Sequence, residues 1–361
     1  MDRSLKSILC KFGYSPLGDK IIWFSGVGYL WLWLHIRSSK KRLLADAVKK
    51  FREAPVGSLD DYKNALEKHW VSYQEYAYQY EFYTKSEAQR NEYVSRLRMA
   101  YFYWRYTPSA AKQVFREKIN FLRVFSKYVH RQWLYVPEAS FDDFEKMTTQ
   151  FDCIVKPYDG KLGQGIFKVY HNSDHTNDKR MYVECRKNKM LLEECIEACD
   201  ELKMFHPQSL NTIRVVTVNG RDKACVLSGV LRTGVGDNVV DNSHAGGVSA
   251  QINVSSGIVE SDGADTKGNI YKCHPDSGIM FVGYKIHNWE AIVETCCEAA
   301  KLTGAPMTGW DVVVNQRGDV EFVEANYGPD MDMMQTRYKK GAKKKIFGLI
   351  KEYCGINLGS C

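Results

Sequence analysis

The sequence lacks the cysteine patterns of a zinc site or of a disulfide scaffold. It has 11 cysteines, an odd number, with no Cys-x-x-Cys pair and no cluster of Cys and His at zinc-ligand spacing. Scattered thiols of this kind are typical of a reducing compartment. The first twenty residues also lack the apolar stretch and small cleavage-site residues of a signal peptide. These absences predict a cytoplasmic protein with reduced cysteines.

The sequence also lacks a strong excess of one charge. Fifty Lys and Arg stand against 43 Asp and Glu, which gives a formal net charge of +7 over 361 residues. This excess is too small and too scattered to indicate a nucleic-acid partner. Because 44% of the residues are hydrophobic and 26% are charged, bulk disorder is excluded as well.

No hydrophobic run is long enough to span a membrane. The uncharged apolar segment Ile21–Ile36 has sixteen residues and three tryptophans, whereas a spanning helix needs about 20. Basic residues follow it closely, namely Arg37, Lys40, Lys41 and Arg42. Two interpretations stay open: a helix lying on the anionic inner face of a membrane, or a helix buried against the rest of the domain.

The pattern of elements predicts an α+β protein with a mostly helical N-terminal region, residues 1–105. Ser58 has the position of a helix N-cap, and tyrosines recur at helical spacing from Tyr73 to Tyr83, which favours core packing. After Trp133, short β-branched runs alternate with turn residues. The predicted strands are Phe151–Pro157, Ile166–Tyr170, Met190–Glu194, Asn211–Val218, Ala224–Leu231, Gly309–Val314 and Val320–Glu324, with a helix from Asn288 to Leu302.

A glycine-rich loop follows the strand that carries Lys156. Residues 154–165 read I-V-K-P-Y-D-G-K-L-G-Q-G. Glycines let backbone N–H groups approach phosphate oxygens, and Lys156 would supply a positive charge. Leu162 follows Lys161, so the segment is not a P-loop. The loop by itself is equally typical of a flexible hairpin.

The predicted C-terminal hairpin brings two carboxylates together. A tight turn near residues 316–318 places Asp311 opposite or nearly opposite Glu324, and the two-residue period puts Asn326 on the same face. Facing carboxylates repel one another unless a cation lies between them. Two carboxylates and an amide suit Mg²⁺. The alternative is a solvated charged hairpin.

Two further segments have functional potential. Arg214 lies in the apolar strand N-T-I-R-V-V-T (211–217), so it needs an anionic partner, either a phosphate or a core carboxylate. The segment Glu193–Ile196 ends a strand, and its backbone groups could hydrogen-bond an adenine edge.

Taken together and in this order, these segments resemble the ATP-grasp superfamily. The matching features run from about Phe115 to about Met334, and the spacing of Asp311, Glu324 and Asn326 is a specific match. Four segments are similar to the sugar-transfer-associated ATP-grasp group of bacterial polysaccharide biosynthesis: residues 209–217, 241–250, the H-P-D-S-G at His274, and 309–314. The resemblance implies two α+β subdomains that clamp ATP, within a domain of residues 106–361. The lid would span about 150–195 and the catalytic subdomain about 196–345.

The resemblance also implies roles for individual residues. Lys118 and Lys156 would bind phosphates, and Asp200 would hold the ribose. Arg214 would stabilise the charge of phosphoryl transfer. His244 is a candidate for accepting a proton from the acceptor amine, or for a local turn contact. The mobile loop over the triphosphate would hold Gly160, Gly163, Gln164 and Gly165; the adenine site Glu193, Glu194, Cys195 and Ile196; and the Mg²⁺ site Asp311, Glu324 and Asn326. Ala198-Cys199 departs from the Gln-His of many relatives.

The activity that the resemblance implies is an ATP-dependent carboxylate–amine ligase that forms an amide through an acyl phosphate. A uronic acid of a capsule or surface polysaccharide, or its precursor, would be the carboxylate substrate, with an amine as acceptor. Two alternatives remain open: a kinase that phosphorylates a sugar hydroxyl, and a non-catalytic nucleotide-binding module tethered to the membrane through residues 21–36. Analysis of the product distinguishes them.

Overall fold

The computed structural model describes residues 26–159, 165–237, 241, 246–266, 269–336 and 340–358. Within these residues the α-helices are α1 Val27–Glu53, α2 Leu59–His69, α3 Glu87–Arg90, α4 Arg96–Tyr106, α5 Ser109–Arg116, α6 Lys118–Val124, α7 Phe141–Gln150, α8 Asp178–Lys187, α9 Asp200–Lys203, α10 Trp289–Ala300, α11 Asp332–Thr336 and α12 Lys343–Cys354. The strands are β1 Trp133–Tyr135, β2 Cys153–Pro157, β3 Phe167–Val169, β4 Met190–Glu194, β5 Ile213–Asn219, β6 Ala224–Thr233, β7 Val248–Ile252, β8 Gly263–Ala264, β9 Ile270–Tyr271, β10 Met307–Val314 and β11 Val320–Asn326.

The N-terminal region is helical, as the sequence predicts. The Ser58 side chain caps α2 by accepting a hydrogen bond from the Asp61 backbone N–H. The tyrosine stripe is core, with Tyr73, Tyr76 and Tyr80 almost fully buried. The stripe is not one α-helix, however, because residues Glu75–Gln79 form a π-helical turn. The wider turn shifts the helical spacing, and Tyr83 is left 43% exposed.

A small antiparallel sheet occupies the middle of the chain. Its strand order is β1-β4-β2-β3. Strand β2 pairs with β3 and with β4, so that Ile154 faces Lys168 on one side and Glu193 on the other. Helices α7 and α8 provide its core with Phe144 and Tyr182. The predicted strands around the glycine-rich loop are confirmed, with the return strand shortened to Phe167–Val169.

A second antiparallel sheet of seven strands has the order β11-β10-β5-β6-β7-β8-β9. Strands β5 and β6 form the hairpin that Asn219-Gly220 predicts. Strand β10 lies between β5 and β11, although it comes nearly 90 residues after β5 in the chain. The C-terminal hairpin therefore lies against a central strand, and its inner strand is buried along its whole length.

Each face of the large sheet is covered by helices. Residues of β5 point alternately to the two faces. Val215 belongs to the same hydrophobic core as Trp289 of α10, whereas Val216 and Val218 belong to the core that α12 covers. Helix α10 begins after Asn288, as predicted, but the Asn288 side chain does not cap it. Asn288 has a left-handed backbone, with φ of 53°, and its amide instead donates to the Gly318 carbonyl.

None of the helices formed by the described residues is both long enough and apolar enough to cross a membrane. Helix α1 has 27 residues, but its second half is rich in charge.

Candidate active site

The C-terminal hairpin brings Asp311 and Glu324 face to face. Their Cα atoms are direct partners in the β10–β11 register, so the predicted juxtaposition is confirmed. A bulge follows immediately, between Asp311 and Val312. Asp311 is only 3% exposed. A buried carboxylate in the middle of a sheet needs charged partners, because burying an unpaired charge is costly.

Asp311 is paired with two arginines from the neighbouring hairpin. Arg214 on β5 donates through Nε and through Nη2, the latter at 2.7 Å from Asp311 Oδ2. Arg232 on β6 donates from Nη1 to Asp311 Oδ1 at 3.0 Å. Burial opposes ionisation of Asp311, but the two guanidinium groups outweigh it and hold its pKa well below the usual range. The anionic partner of Arg214 is therefore a carboxylate, and that carboxylate is itself a predicted metal ligand.

Glu324 and Asn326 have fewer favourable polar contacts than Asp311. Burial and the nearby Asp311 carboxylate raise the pKa of Glu324 to about 7. The Asn326 Oδ1 atom is buried and has no hydrogen-bond partner. An unpartnered buried oxygen beside two carboxylates is a donor set that fits a hard divalent cation such as Mg²⁺. Clusters of three or more His, Cys, Asp or Glu side chains suited to a metal do not occur in the described part of the chain.

Two lysines approach the same site, one from the smaller sheet and one from helix α6. Lys156 lies on β2, and its Nζ is 2.7 Å from Glu193 Oε1. Lys118 begins α6, and its Nζ donates to the Pro157 carbonyl at 3.0 Å. Burial and the positive charge of Lys156 lower the pKa of Lys118, while Glu324 and Glu193 oppose that shift. Lys118, Lys156 and Glu324 are thus close enough for each charge to affect the ionisation of the others.

Glu193 joins the two sheets through a buried ion-pair network. Arg131 Nε lies 2.7 Å from Glu193 Oε2, and Arg131 Nη1 lies 2.6 Å from Glu321 Oε1 on β11. Burial would raise the pKa of Glu193, but Lys156 and Arg131 lower it to about 2. The Glu193 side chain is therefore occupied within the protein, and its backbone lies in β4 between Trp133 of β1 and Ile154 of β2.

The predicted adenine segment ends β4 beside the β2 strand. Glu194 accepts through Oε2 from the Gln132 N–H, and the Cys195 N–H donates to the Asp152 carbonyl at 2.7 Å. Ile196 is partly buried against the main core. Asp200 begins α9 and accepts a hydrogen bond from Gln316 Nε2 at 2.9 Å. The roles of these residues toward adenine and ribose stay predictions.

Several predicted residues lie outside the described ones. These are Gly160, Gly163, Gln164 and His244. Gly165 is described, has φ of 72°, and lies against the Pro157 ring, so only glycine fits there without strain. Asp241, three residues before His244 in the sequence, accepts a 2.6 Å hydrogen bond from the Thr212 backbone N–H.

Comparison with known proteins identifies the family. A family model described as sugar-transfer associated ATP-grasp matches residues 97–349, well over half of the chain. The chain belongs to the sugar-transfer associated ATP-grasp family. No curated protein sequence matches it.

Solved ATP-grasp structures share only a distant likeness with this family member. Biotin carboxylase from Campylobacter jejuni is 13% identical, with a TM-score of 0.44, over 70% of this chain and 49% of that one. The ATP-grasp ligase PsnB complexed with its minimal precursor is 14% identical, with a TM-score of 0.43, over 71% of this chain and 69% of that one. D-alanine–D-alanine ligase from Bacillus anthracis is 14% identical, with a TM-score of 0.41, over 68% and 69%. This ATP-grasp chain thus spans about half the length of the biotin carboxylase.

Two arginines of this candidate site were not predicted from the sequence. Arg232 lies in the apolar strand β6, where the argument used for Arg214 applies equally and could have found it. Arg131 precedes β1 without any local pattern, and its partners Glu193 and Glu321 are 62 and 190 residues away. Only the folded chain reveals that pairing.

Two buried histidines of this ATP-grasp protein lie near the end of β6, of which the sequence pattern had indicated His274 but not His206. His206 and His274 hold the backbone after β6: His206 Nε2 lies 2.7 Å from the Gly236 carbonyl, and His274 Nε2 lies 2.8 Å from the Gly234 carbonyl. His274 is thus a structural residue of a turn, as H-P-D-S-G suggests, and it fixes the start of the segment that leads to His244.

Proposed function

We propose that this protein is an ATP-dependent carboxylate–amine ligase that forms an amide through an acyl phosphate. As substrate we propose a uronic acid of a bacterial surface polysaccharide or of its precursor, with a small amine as acceptor. The family gives the link to sugar transfer. The nine described cysteines are all free thiols, which supports a reducing cytoplasmic setting.

The observation that carries the proposal is the charge arrangement around Asp311. Two arginines, two lysines and a pair of facing acids come from both sheets to one place. A protein that only binds nucleotide needs fewer groups of this kind. Phosphoryl transfer needs them, because catalysis there consists mainly of positioning and charge neutralisation.

The proposed role of each residue of the site follows from its position. Asp311, Glu324 and Asn326 would hold Mg²⁺, which neutralises phosphate charge when bound. Lys156 on the small sheet and Lys118 at the start of α6 would orient the phosphates. Arg214 and Arg232 both donate to Asp311, which holds their guanidinium groups in place. They would therefore stabilise developing negative charge without having to reorient.

ATP is needed because the carboxylate must first be converted to an acyl phosphate. The substrate carboxylate attacks the γ-phosphorus, ADP leaves, and the amine then attacks the acyl carbon and releases phosphate. The amine loses a proton to a base or to water. His244 is our candidate for that base, and its contacts lie outside the described residues.

We expect Arg232→Lys to lower turnover by about a hundredfold or more while leaving ATP binding nearly intact. Lysine keeps the charge but loses the planar guanidinium, which donates from Nη1 to Asp311 and carries further N–H groups in a fixed orientation. Steady-state phosphate release and an ATP titration followed by fluorescence measure the two quantities. Arg221→Lys, an exposed position in the β5–β6 turn, is the matched control and should behave like the natural protein. Equal activity of the Arg232 and Arg221 variants would remove Arg232 from the mechanism.

The proposed activity is tested by incubating the protein with Mg·ATP and a matrix of uronic acids, their nucleotide-linked forms and small amines, followed by mass spectrometry. A ligase gives ADP, phosphate and a product equal to the sum of both substrates less one water. A phosphorylated sugar with no amine requirement would indicate the kinase instead. ATP that binds without turnover on any pair would favour a nucleotide-binding module.

A further inference from the structure

The first turns of α1 have an exposed apolar stripe. Tyr29, Leu30, Trp33 and Leu34 are each about half exposed, between 49% and 58%. Their spacing places all four on one side of the helix. On the opposite side, Leu32 and Ile36 are buried. We call the four exposed residues the apolar stripe. Isolated exposed apolar residues are common, but a large aromatic and two leucines side by side are not.

Trp31 and Trp33 have different surroundings, and Trp23 lies outside the described residues. Trp31 stacks on His35 at a ring-centroid distance of 5.1 Å and lies edge-on to Trp104 of α4. Trp33 instead faces outward, with the Arg37 guanidinium 5.3 Å above its ring. The helix is therefore anchored to the protein by one face, and the other face is left outward. The packed face agrees with the interpretation of a buried helix, and the outward face leaves the interpretation of a membrane-bound helix open.

The apolar stripe continues into a basic stripe on the same side of α1. Arg37 and Lys41 follow Leu30, Trp33 and Leu34 at helical spacing and are exposed. Arg42 is exposed beside them. Acidic residues are absent from the helix until Asp46, more than a turn later. Arg105 of α4 adds a further positive charge at the end of the stripe, over the Tyr29 ring.

We propose that this face of α1 docks the protein onto an anionic lipid surface. Trp33, Leu30 and Leu34 would enter the boundary between headgroups and acyl chains, where aromatic and aliphatic side chains are stable. Arg37 and Lys41 would lie at the headgroups, where each basic residue adds attraction to anionic lipid. Arg37 and Lys41 lie about one and two turns after Trp33 on the same face, so the helix would lie in the plane of the surface. The inference is independent of the reaction catalysed.

Co-sedimentation with lipid vesicles tests the proposal on the full chain. Vesicles of phosphatidylcholine with phosphatidylglycerol should bind the protein, and vesicles of phosphatidylcholine alone should bind it at least about fivefold less. Binding should weaken with added salt, because the basic stripe contributes through screened charge.

Two variants separate the apolar part from the basic part. Leu30→Ser with Trp33→Ser should reduce binding by about tenfold or more, since the buried apolar area is lost. Arg37→Glu with Lys41→Glu should reduce it similarly, only on the anionic vesicles. Lys49→Glu, an exposed charge reversal two turns further along α1, is the control and should reduce binding much less. Circular dichroism confirms that each variant is folded.

Three outcomes would overturn the proposal. Equal binding by the natural protein and both double variants would show that another surface contacts lipid. Equal binding to vesicles with and without phosphatidylglycerol would exclude a contribution of the basic stripe. A concentration-dependent dimer that the Leu30 and Trp33 changes abolish, without vesicle binding, would show that a second copy of the chain covers this face.

Discussion

Glu324→Gln is expected to abolish Mg²⁺-dependent turnover of ATP while leaving the protein at least as stable as before. The glutamine keeps the shape and removes one charge of the proposed Mg²⁺ site, so we expect activity to fall by about a thousandfold or more. Glu324 faces Asp311 directly, and the two carboxylates disfavour each other. Removing one of them relieves that repulsion, so the melting temperature should stay equal or rise. Phosphate release and thermal unfolding measure the two effects.

Asp311→Asn provides the contrast. It should lose activity to a similar extent, but it should also unfold more easily by about 3 kcal/mol, because Arg214 and Arg232 lose their common partner. Glu290→Gln, an exposed residue in the first turn of α10, controls for the substitution itself. If Glu324→Gln keeps full turnover, the Mg²⁺ assignment is wrong. If it destabilises the protein as much as Asp311→Asn does, then the two acids do not oppose one another.

Arg131→Ala is expected to produce the largest loss of stability of any single change considered. Its guanidinium is 3% exposed and bonds both Glu193 and Glu321. Truncation leaves two buried carboxylates without this partner, and breaking such a buried pair costs about 3–5 kcal/mol. Urea unfolding measures the free energy of unfolding. We expect the midpoint to fall without a change in slope.

Arg123→Ala is the control for that measurement. Arg123 also bonds a glutamate, Glu138, at 2.6 Å, but both side chains are more than half exposed. An exposed ion pair contributes at most about 1 kcal/mol. Equal losses from the two variants would contradict the assignment of Arg131 as a buried link between the sheets. The double change Arg131→Met with Glu321→Gln should recover part of the loss, since Glu193 keeps Lys156 as its partner and no unpaired carboxylate remains at residue 321.

The parts of the site that the sequence predicts are those set by local rules. Asp311 and Glu324 face each other because a tight turn and a two-residue period leave one register. Lys156 is found because a strand and a glycine-rich loop adjoin in the chain. The bulge after Asp311 was not predictable, because it depends on how β10 fits between two neighbours.

Other parts depend on contacts between distant segments. Nothing near Glu193 indicates that its carboxylate is held by Arg131 and Lys156. The orientation of α1 was left open for the same reason, because its buried face is set by packing against α4 and not by its own composition. The π-helical turn at residues 75–79 is a case in which tertiary packing prevailed over a regular helical spacing.

The position of β10 between β5 and β11 also has a consequence for the order of folding. Arg214 and Arg232 are made 97 and 79 residues before their partner Asp311. Until the last hairpin is synthesised and docks, β5 has an open edge and the β5–β6 hairpin holds two neighbouring cations without that carboxylate. Pairings of such long sequence separation form slowly. Assembly of the candidate active site is therefore coupled to closure of the sheet, and a chain shortened before residue 307 would have neither.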